Sequence, residues 1–499
     1  LSKGSRFLHI LYILAFLVLL LSLFLLIPTI LAYFYGESAS FFAFGVTAAG
    51  GLVSSVLIML FTGRRSLWKP LYSTSGVLIV GLAWIVASAI GAIPFVLSGN
   101  ILSYTDAFFE TMSGFTTTGA SILEKIDGLD MAALFWRSLT HWLGGMGIVV
   151  LTVALLPLLG INGGSLVEAE SPGPSLEKVT PKIQETAKIL WIIYVALTAI
   201  ETALLMVGGM NLFDAVTHSF GTLATGGFSP KPDSVGHYVN VAYGAADNYN
   251  GPFIHWVITI FMVLAGLNFG LMFKLLLGKW KDVWGNTEFK VYVVINVLAA
   301  LAITLPLIQQ GVFPDFGEAV AYASFQSASI MTTTGYATAN FEMWPQFSKA
   351  ILFFLMFIGG SSGSTGGGIK VVRIVILFKL LLNELRYIAQ PRAVHKVRLE
   401  GRGIRKDTVY GIGAFFFLYV MVLLVTTLVV ASADYDLVSS FTTALATVGN
   451  IGPGFGAVGP WDGYSHFPDY VKWFLSWAMM VGRLELFTFV VLLHPRFWR

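Results

Sequence analysis

The sequence predicts an all-α polytopic membrane protein: two N-terminal spans, then four pseudo-symmetric span–pore-loop–span repeats around one central pore. Ten spans and four re-entrant pore helices are expected. Three observations carry this. The chain of 499 residues is 56% hydrophobic and 11% charged, with mean hydropathy +0.77, whereas a soluble domain carries about 25% charged residues. Lipid is therefore the solvent for most of its surface. Apolar runs long enough to cross a bilayer, which takes about 20 residues, recur along the chain. A Thr-x-Gly tripeptide also recurs, within Thr116–Ser121, Ala224–Ser229, Thr332–Thr338 and Thr447–Gly454, each time after a short helix-like stretch. Its first glycines, Gly119, Gly226, Gly335 and Gly449, are spaced by 107, 109 and 114 residues.

The spans follow in order. Phe7–Tyr35 and Phe41–Thr62 form an N-terminal pair within residues 1–72. Phe7–Tyr35 is too long for a cleaved signal peptide, and a start at Leu1 predicts a few residues before it. Unit one, 73–160, reads Ser73–Ser98, short helix Tyr104–Phe115, loop, Asp130–Leu159. A linker, 161–184, leads to unit two, 185–281: Glu185–Gly208, Asn211–Leu223, loop, Pro252–Gly278. Unit three, 282–382, reads Thr287–Gly311, Asp315–Met331, loop, Pro345–Leu382. A basic linker, 383–406, precedes unit four, 407–499: Thr408–Ala431, Asp436–Leu445, loop, Phe467–His494.

An acid stands near the start of each short helix: Asp106, Asp214, Asp315 with Glu318, and Asp436. Carboxylates there cap free N–H groups and complement the helix dipole, leaving its negative end aimed at the glycine loop. The loop side carries Lys125, Lys231, Lys349 and Lys472, while Arg386, Arg392, Lys396, Arg398, Arg402, Arg405 and Lys406 crowd the opposite side. That opposite side is expected to be cytoplasmic. Glu124, Asp127, Asp130, Asp233, Asp247, Asp462 and Asp469 predict an acidic outer vestibule, with an ordinary solvated face as the alternative for each. The absence of cysteine excludes a disulfide framework and thiolate metal sites. A net charge of +3 without basic–aromatic interleaving argues against nucleic acid as a partner.

A dehydrated cation needs several oxygens at fixed spacing, and a ring of backbone carbonyls supplies them without full charges. Glycine permits the required backbone conformations, and threonine adds a hydroxyl at the inner edge. The candidate ligands are Thr117, Thr118 and Gly119; Thr225, Gly226 and Gly227; Thr333, Thr334 and Gly335; and Thr447, Val448 and Gly449. Unit two aligns on either Gly226 or Gly227. The fourth triplet opens like the TVGYG loop of potassium channels, with Asn450 where the tyrosine would be. Close helix packing by small residues explains one such tripeptide; four at a regular interval point to a filter.

Gly359, Gly360, Ser361, Ser362, Gly363, Ser364, Thr365, Gly366, Gly367 and Gly368 interrupt the last span of unit three. Each glycine costs roughly 1 kcal/mol in a helix, and non-helical backbone at membrane depth must be buried or line a cavity. A flexible loop below the filter is expected. Two rival motifs overlap it: a phosphate-loop near miss ending in Ile369-Lys370, and a GxSG at Gly360–Gly363 that formally fits an intramembrane serine protease using Ser362. Arg483 lies too deep in its span to snorkel, so it should face a cavity or a partner. Glu201 reads as a buried structural acid or a proton-coupling group. His141 and His255, each before a tryptophan, read as interfacial anchors.

With HWLGGMG at His141–Gly147, GGSSGSTGGGIK at Gly359–Lys370 and VGRLELFT at Val481–Thr488, the chain resembles the potassium transporter superfamily that includes bacterial TrkH, TrkG and KtrB. The resemblance covers essentially its whole length, and the two extra N-terminal spans resemble the Trk branch. It implies a non-enzymatic protein of the bacterial cytoplasmic membrane that takes up potassium, has no tightly bound cofactor and forms a homodimer. It also implies a cytosolic nucleotide-binding regulatory subunit of the TrkA type, Gly359–Gly368 as an intramembrane gate, and Arg483 as a charge barrier below the filter. For Arg483, pairing with a carbonyl or buried acid is the alternative. Glycine in all four loops matches potassium-selective members; serine in the first is the pattern of sodium-carrying plant relatives. A proton- or sodium-coupled symporter is the second transport reading.

Overall fold

Without water to satisfy backbone groups, apolar segments must close their hydrogen bonds internally, so helices dominate. The computed structural model describes residues 3–63, 73–123, 125–147, 183–239, 249–391, 396–484 and 486. Glu124, Asp247, Arg392, Glu485, His494 and most of the expected 161–184 linker lie outside these residues.

The N-terminal pair is α1 (Lys3–Tyr35) and α2 (Ser38–Thr62). Unit one contributes α3 (Ser73–Ser98), α4 (Tyr104–Phe115) and α5 (Met131–Gly145). Unit two contributes α6 (Ile183–Val207), α7 (Leu212–Ala224), the single turn α8 (Gly236–Val239), α9 (Gly251–Ala265), α10 (Phe269–Leu276) and α11 (Trp280–Gly285). Unit three contributes α12 (Thr287–Gln309), α13 (Phe316–Met331), α14 (Gln346–Leu355) and α15 (Val371–Ala389). Unit four contributes α16 (Lys406–Ala431), α17 (Leu437–Val448) and α18 (Asp469–Arg483). The basic linker is partly helical, since Arg386 belongs to α15, and it ends in an antiparallel hairpin of β1 (Arg398–Leu399) and β2 (Arg402–Gly403).

Six described helices, α1, α2, α3, α6, α12 and α16, are long and apolar enough to cross a membrane. Helices α9 and α10 supply a seventh crossing if taken together, bent by 102° at their junction. Continuous second spans are expected in units one, two and four, yet α5 ends at Gly145, α9 at Ala265 and α18 at Arg483. The break follows from small residues that bring backbone against the end of the short helix. A β-carbon on Gly144 would collide with the Phe115 carbonyl, and one on Gly482 with the Val448 carbonyl. At Gly266 the neighbours are side chains instead: a β-carbon would meet the Tyr292 hydroxyl first, and the Thr332 methyl at 2.8 Å.

The N-terminal hairpin docks on unit one through an acid the sequence does not single out. Glu37 accepts hydrogen bonds from the free amides of Met131 (2.6 Å) and Ala132 (3.1 Å), capping α5 from outside its own unit. That arrangement also suits the helix dipole.

A ring of four glycine loops

The four short helices start alike. Ser103, Asn211, Asp315 and Asp436 accept the first-turn amide bonds, so Asp106 and Asp214 sit one turn inside, next to caps of another type. At Asp436 the hydrogen bonds from Ser439 hold the carboxyl below its usual range.

They end alike too, in a pattern that resets the register of the fourth loop. Thr117, Thr225, Thr333 and Asn450 are left-handed, with φ of 53°, 55°, 61° and 54°. Each amide donates three residues back, to Gly114, Thr222, Ile330 and Thr447 (3.0–3.2 Å). The following amides, of Thr118, Gly226, Thr334 and Ile451, donate five residues back at 2.8–2.9 Å. This is a Schellman closure with threonine or asparagine where glycine is usual. A β-branched residue in this region is an outlier that costs about 1–3 kcal/mol, so the first three loops hold the same strain, while Asn450 in the fourth adopts the conformation more readily.

Two residues on come Gly119, Gly227, Gly335 and Gly452, with φ of 78°, 86°, 80° and 94°. The equivalent triplets are therefore Thr117–Gly119, Thr225–Gly227, Thr333–Gly335 and Asn450–Gly452. The expected fourth triplet, Thr447, Val448 and Gly449, is three residues too early. Thr447 and Val448 are the last turn of α17, and Gly449 keeps a right-handed φ of −79°. In unit two the equivalent glycine is Gly227, and the spacings become 108, 108 and 117 residues.

The four loops close a ring. A β-carbon on Gly119 would collide with the carbonyl oxygen of Gly226, one on Gly227 with that of Thr334, and one on Gly335 with that of Ile451. One on Gly452 would stand 2.7 Å from the Thr118 carbonyl oxygen, returning to the first loop. At each seam the carbonyl of one loop thus occupies the place a side chain would take on the adjoining loop, and only glycine fits there. The Thr117 hydroxyl and Asn450 Oδ1 are buried there with no partner among the described groups. The Asn450 amide nitrogen ties the fourth loop to Thr118 Oγ1 and the Met479 carbonyl, both at 2.9 Å.

Residues 359–368 lie against the helix-end face of this ring and are non-helical, as expected. They are well bonded rather than loose. Gly367 N–H donates to Thr333 Oγ1 (2.7 Å), Ser361 N–H to the Gly266 carbonyl (2.8 Å) and Ser362 N–H to Glu288 Oε1 (2.7 Å). Glu288, which sequence reasoning passes over, also accepts from Val372 N–H at 3.1 Å. These engaged amides and the Lys370 ammonium, which donates to the Gly366 carbonyl, make no phosphate cradle. Half-buried Arg483 reaches across the same level: it donates to the carbonyls of Thr365 (2.7 Å), Gly144 (2.8 Å) and Gly145 (3.0 Å).

On the opposite face, a cavity of about 390 Å³ is lined by Gly119, Gly227, Gly335 and Gly452. Of the acids expected there, Asp462 lines it, alongside Lys231 and Arg137. Asp130 instead bonds Ser40 and Asn100, and Asp233 lies 3.4 Å from His237. His141 and His255 are not interfacial anchors. Both are buried, and His141 links the Gly114 carbonyl (Nδ1, 2.8 Å) to the Phe228 amide (Nε2, 3.1 Å). His255 Nε2 bonds the Ala321 carbonyl at 2.9 Å. Glu201 is buried beside α7, and neither carboxylate oxygen has a partner among the described groups. The nearby Thr222 hydroxyl is committed to the His218 carbonyl at 2.8 Å. Sequence reasoning also misses Glu110 and Arg137, an ion pair at 2.7 Å that is almost wholly buried. Ionisable residues inside apolar helices are the signal that could have found them.

Helical, multi-pass and built around a ring of four glycine loops, this is a membrane transport protein by class. The TrkH family profile, described as a cation transport protein, matches residues 46–498. The chain is 40% identical over 490 residues to the Trk system potassium uptake protein TrkH of Escherichia coli strain K12, covering 98% of each. It is 33% identical to TrkG of the same strain over 494 residues, covering 97% of each. The crystal structure of the potassium transporter TrkH from Vibrio parahaemolyticus superposes with a TM-score of 0.86 at 37% identity, covering 99% of this chain and 100% of that one. The chain belongs to the TrkH family. Its relatives are transporters, not enzymes, and the serine-protease reading of Ser362 loses its ground.

Proposed function

We propose that the protein takes potassium up across the bacterial cytoplasmic membrane, through a filter made of the four loops. The observation that carries this is the closed relay of glycine against carbonyl, from Gly119 through Gly227 and Gly335 to Gly452. Potassium, the cargo, would exchange hydration water for the carbonyls of Thr118, Gly226, Thr334 and Ile451, with Thr117 Oγ1 at the inner edge. In this reading the chain crosses the membrane ten times, with the loops outward and the basic linkers in the cytoplasm, as the distribution of lysine and arginine supports. Residues 359–368 gate the path from below, and Arg483 pins them while adding a positive barrier. The Trk system names of the relatives support assembly with a regulatory subunit; homodimerisation and a nucleotide-binding TrkA-type partner are the forms we expect.

The test is ion flux through purified protein in liposomes with competing sodium, rubidium and caesium, with the regulatory subunit added or withheld. Absence of potassium preference over sodium would overturn the reading. One observation favours the symporter alternative: the unpartnered carboxyl of Glu201 could take up and release a proton. Uphill potassium movement driven by an imposed proton gradient, and abolished by Glu201→Gln, would establish it over passive conduction.

A further inference from the structure

Behind the outer legs of loops one and two stands the Glu110–Arg137 pair, with side chains 0% and 2% exposed. Arg137 Nε donates to Glu110 Oε1 at 2.7 Å. The carboxylate also accepts from Ser121 Oγ (3.0 Å) and the Ile122 amide (2.9 Å), just past Gly119. The guanidinium donates on to the Ser229 carbonyl and Ser121 Oγ, both at 3.2 Å, just past Gly227. Its carbon sits 4.2 Å over the Phe228 ring centre. Every polar edge of the pair therefore ends at a loop within three residues of a ring glycine.

Burying two charges carries a desolvation cost that apolar residues of the same volume avoid, so helix adhesion alone does not explain the pair. A planar fork with donors in fixed directions sets distance and angle in a way that an ammonium does not. The other seams of the ring are held differently: by the Tyr336 hydroxyl on Phe228, by Glu342 on the Gly456 amide, and by the Tyr464 amide on Ser121.

We propose that Glu110 and Arg137 are positioning residues for ion discrimination, fixing the separation of the first and second loops. The inference rests on the filter reading above. Neither side chain touches the ion; they act through Ser121, Ile122 and Ser229.

The test uses full-length protein in liposomes and reads the sodium-to-potassium flux ratio and the thermal midpoint together. Arg137→Lys and Glu110→Gln should raise the ratio about tenfold, a modest change in relative barrier height. Ser121→Ala, which spares the pair and removes the hydroxyl's two links to it, should shift the ratio the same way by a smaller factor. Lys472→Met breaks the separate Asp106–Lys472 pair (2.6 Å) between α4 and α18; it should lower the midpoint and leave the ratio unchanged. An unmoved ratio in the folded variants among the first three overturns the proposal, as does an equal shift in Lys472→Met. Loss of potassium preference in the unmutated protein would instead overturn the filter reading itself.

Discussion

The amide of Gly367 donates to the hydroxyl of Thr333 at 2.7 Å, so the glycine-rich segment hangs from the left-handed residue that starts the third loop. The proposed filter and the proposed gate then share a hydrogen bond. Its net worth is about 1 kcal/mol, or roughly fivefold in a population. Thr333→Val keeps the branched shape and removes the acceptor. Basal potassium flux without a regulatory subunit should rise about fivefold, while Thr333→Ser stays near the unmutated rate. Equal rates in the valine and serine variants would uncouple the two elements.

Arg483 makes three charge-assisted bonds to carbonyls in two units. Each such bond contributes about 1.5–3 kcal/mol. Arg483→Ala loses all three bonds along with the positive charge, and basal liposome flux should rise by about tenfold or more. Arg483→Lys keeps the charge but not the fork, so its flux should fall in between. Unchanged flux in the alanine variant removes Arg483 from the path.

Gly119 and Gly335 combine a positive φ with a neighbouring carbonyl where a side chain would stand. Gly119→Ser and Gly335→Ser should each push that carbonyl away and weaken discrimination against sodium. Competition of sodium with rubidium flux measures it. A preserved potassium preference in both variants would mean that the ring does not select.

The helical, multi-pass character was legible because apolar runs survive in a linear sequence, and the recurring tripeptide pointed to the four glycine loops. Ser103 and Asn211, the true caps, are hidden beside more conspicuous acids. The ends of α5 at Gly145 and α9 at Ala265 were not legible, since one or two glycines in an apolar run do not announce a broken helix. Glu37, Glu110, Arg137 and Glu288 act on partners 27 to 95 residues away or in other units, and no local pattern encodes such pairings. The His141 brace was lost for the same reason: a histidine before a tryptophan looks the same at an interface and behind a loop.

The fourth loop misled because Thr447-Val448-Gly449 copies a familiar tripeptide one helical turn early. Its backbone decides the matter, and mutation can test it. Gly452 has φ 94°, with the Thr118 carbonyl 2.7 Å from a built β-carbon and Gly119 C at 3.0 Å. Gly449 is right-handed; its nearest contacts are its own helix's Leu445 carbonyl at 2.7 Å and the movable δ-methyl of Ile451 at 3.0 Å. An alanine at 449 needs only local relaxation at the end of α17, whereas one at 452 must spread the seam between loops four and one. Gly452→Ala should therefore abolish potassium preference in competition flux, and Gly449→Ala should retain it with at most a lower thermal midpoint. The reverse result would restore Thr447–Gly449 as the fourth wall of the ring.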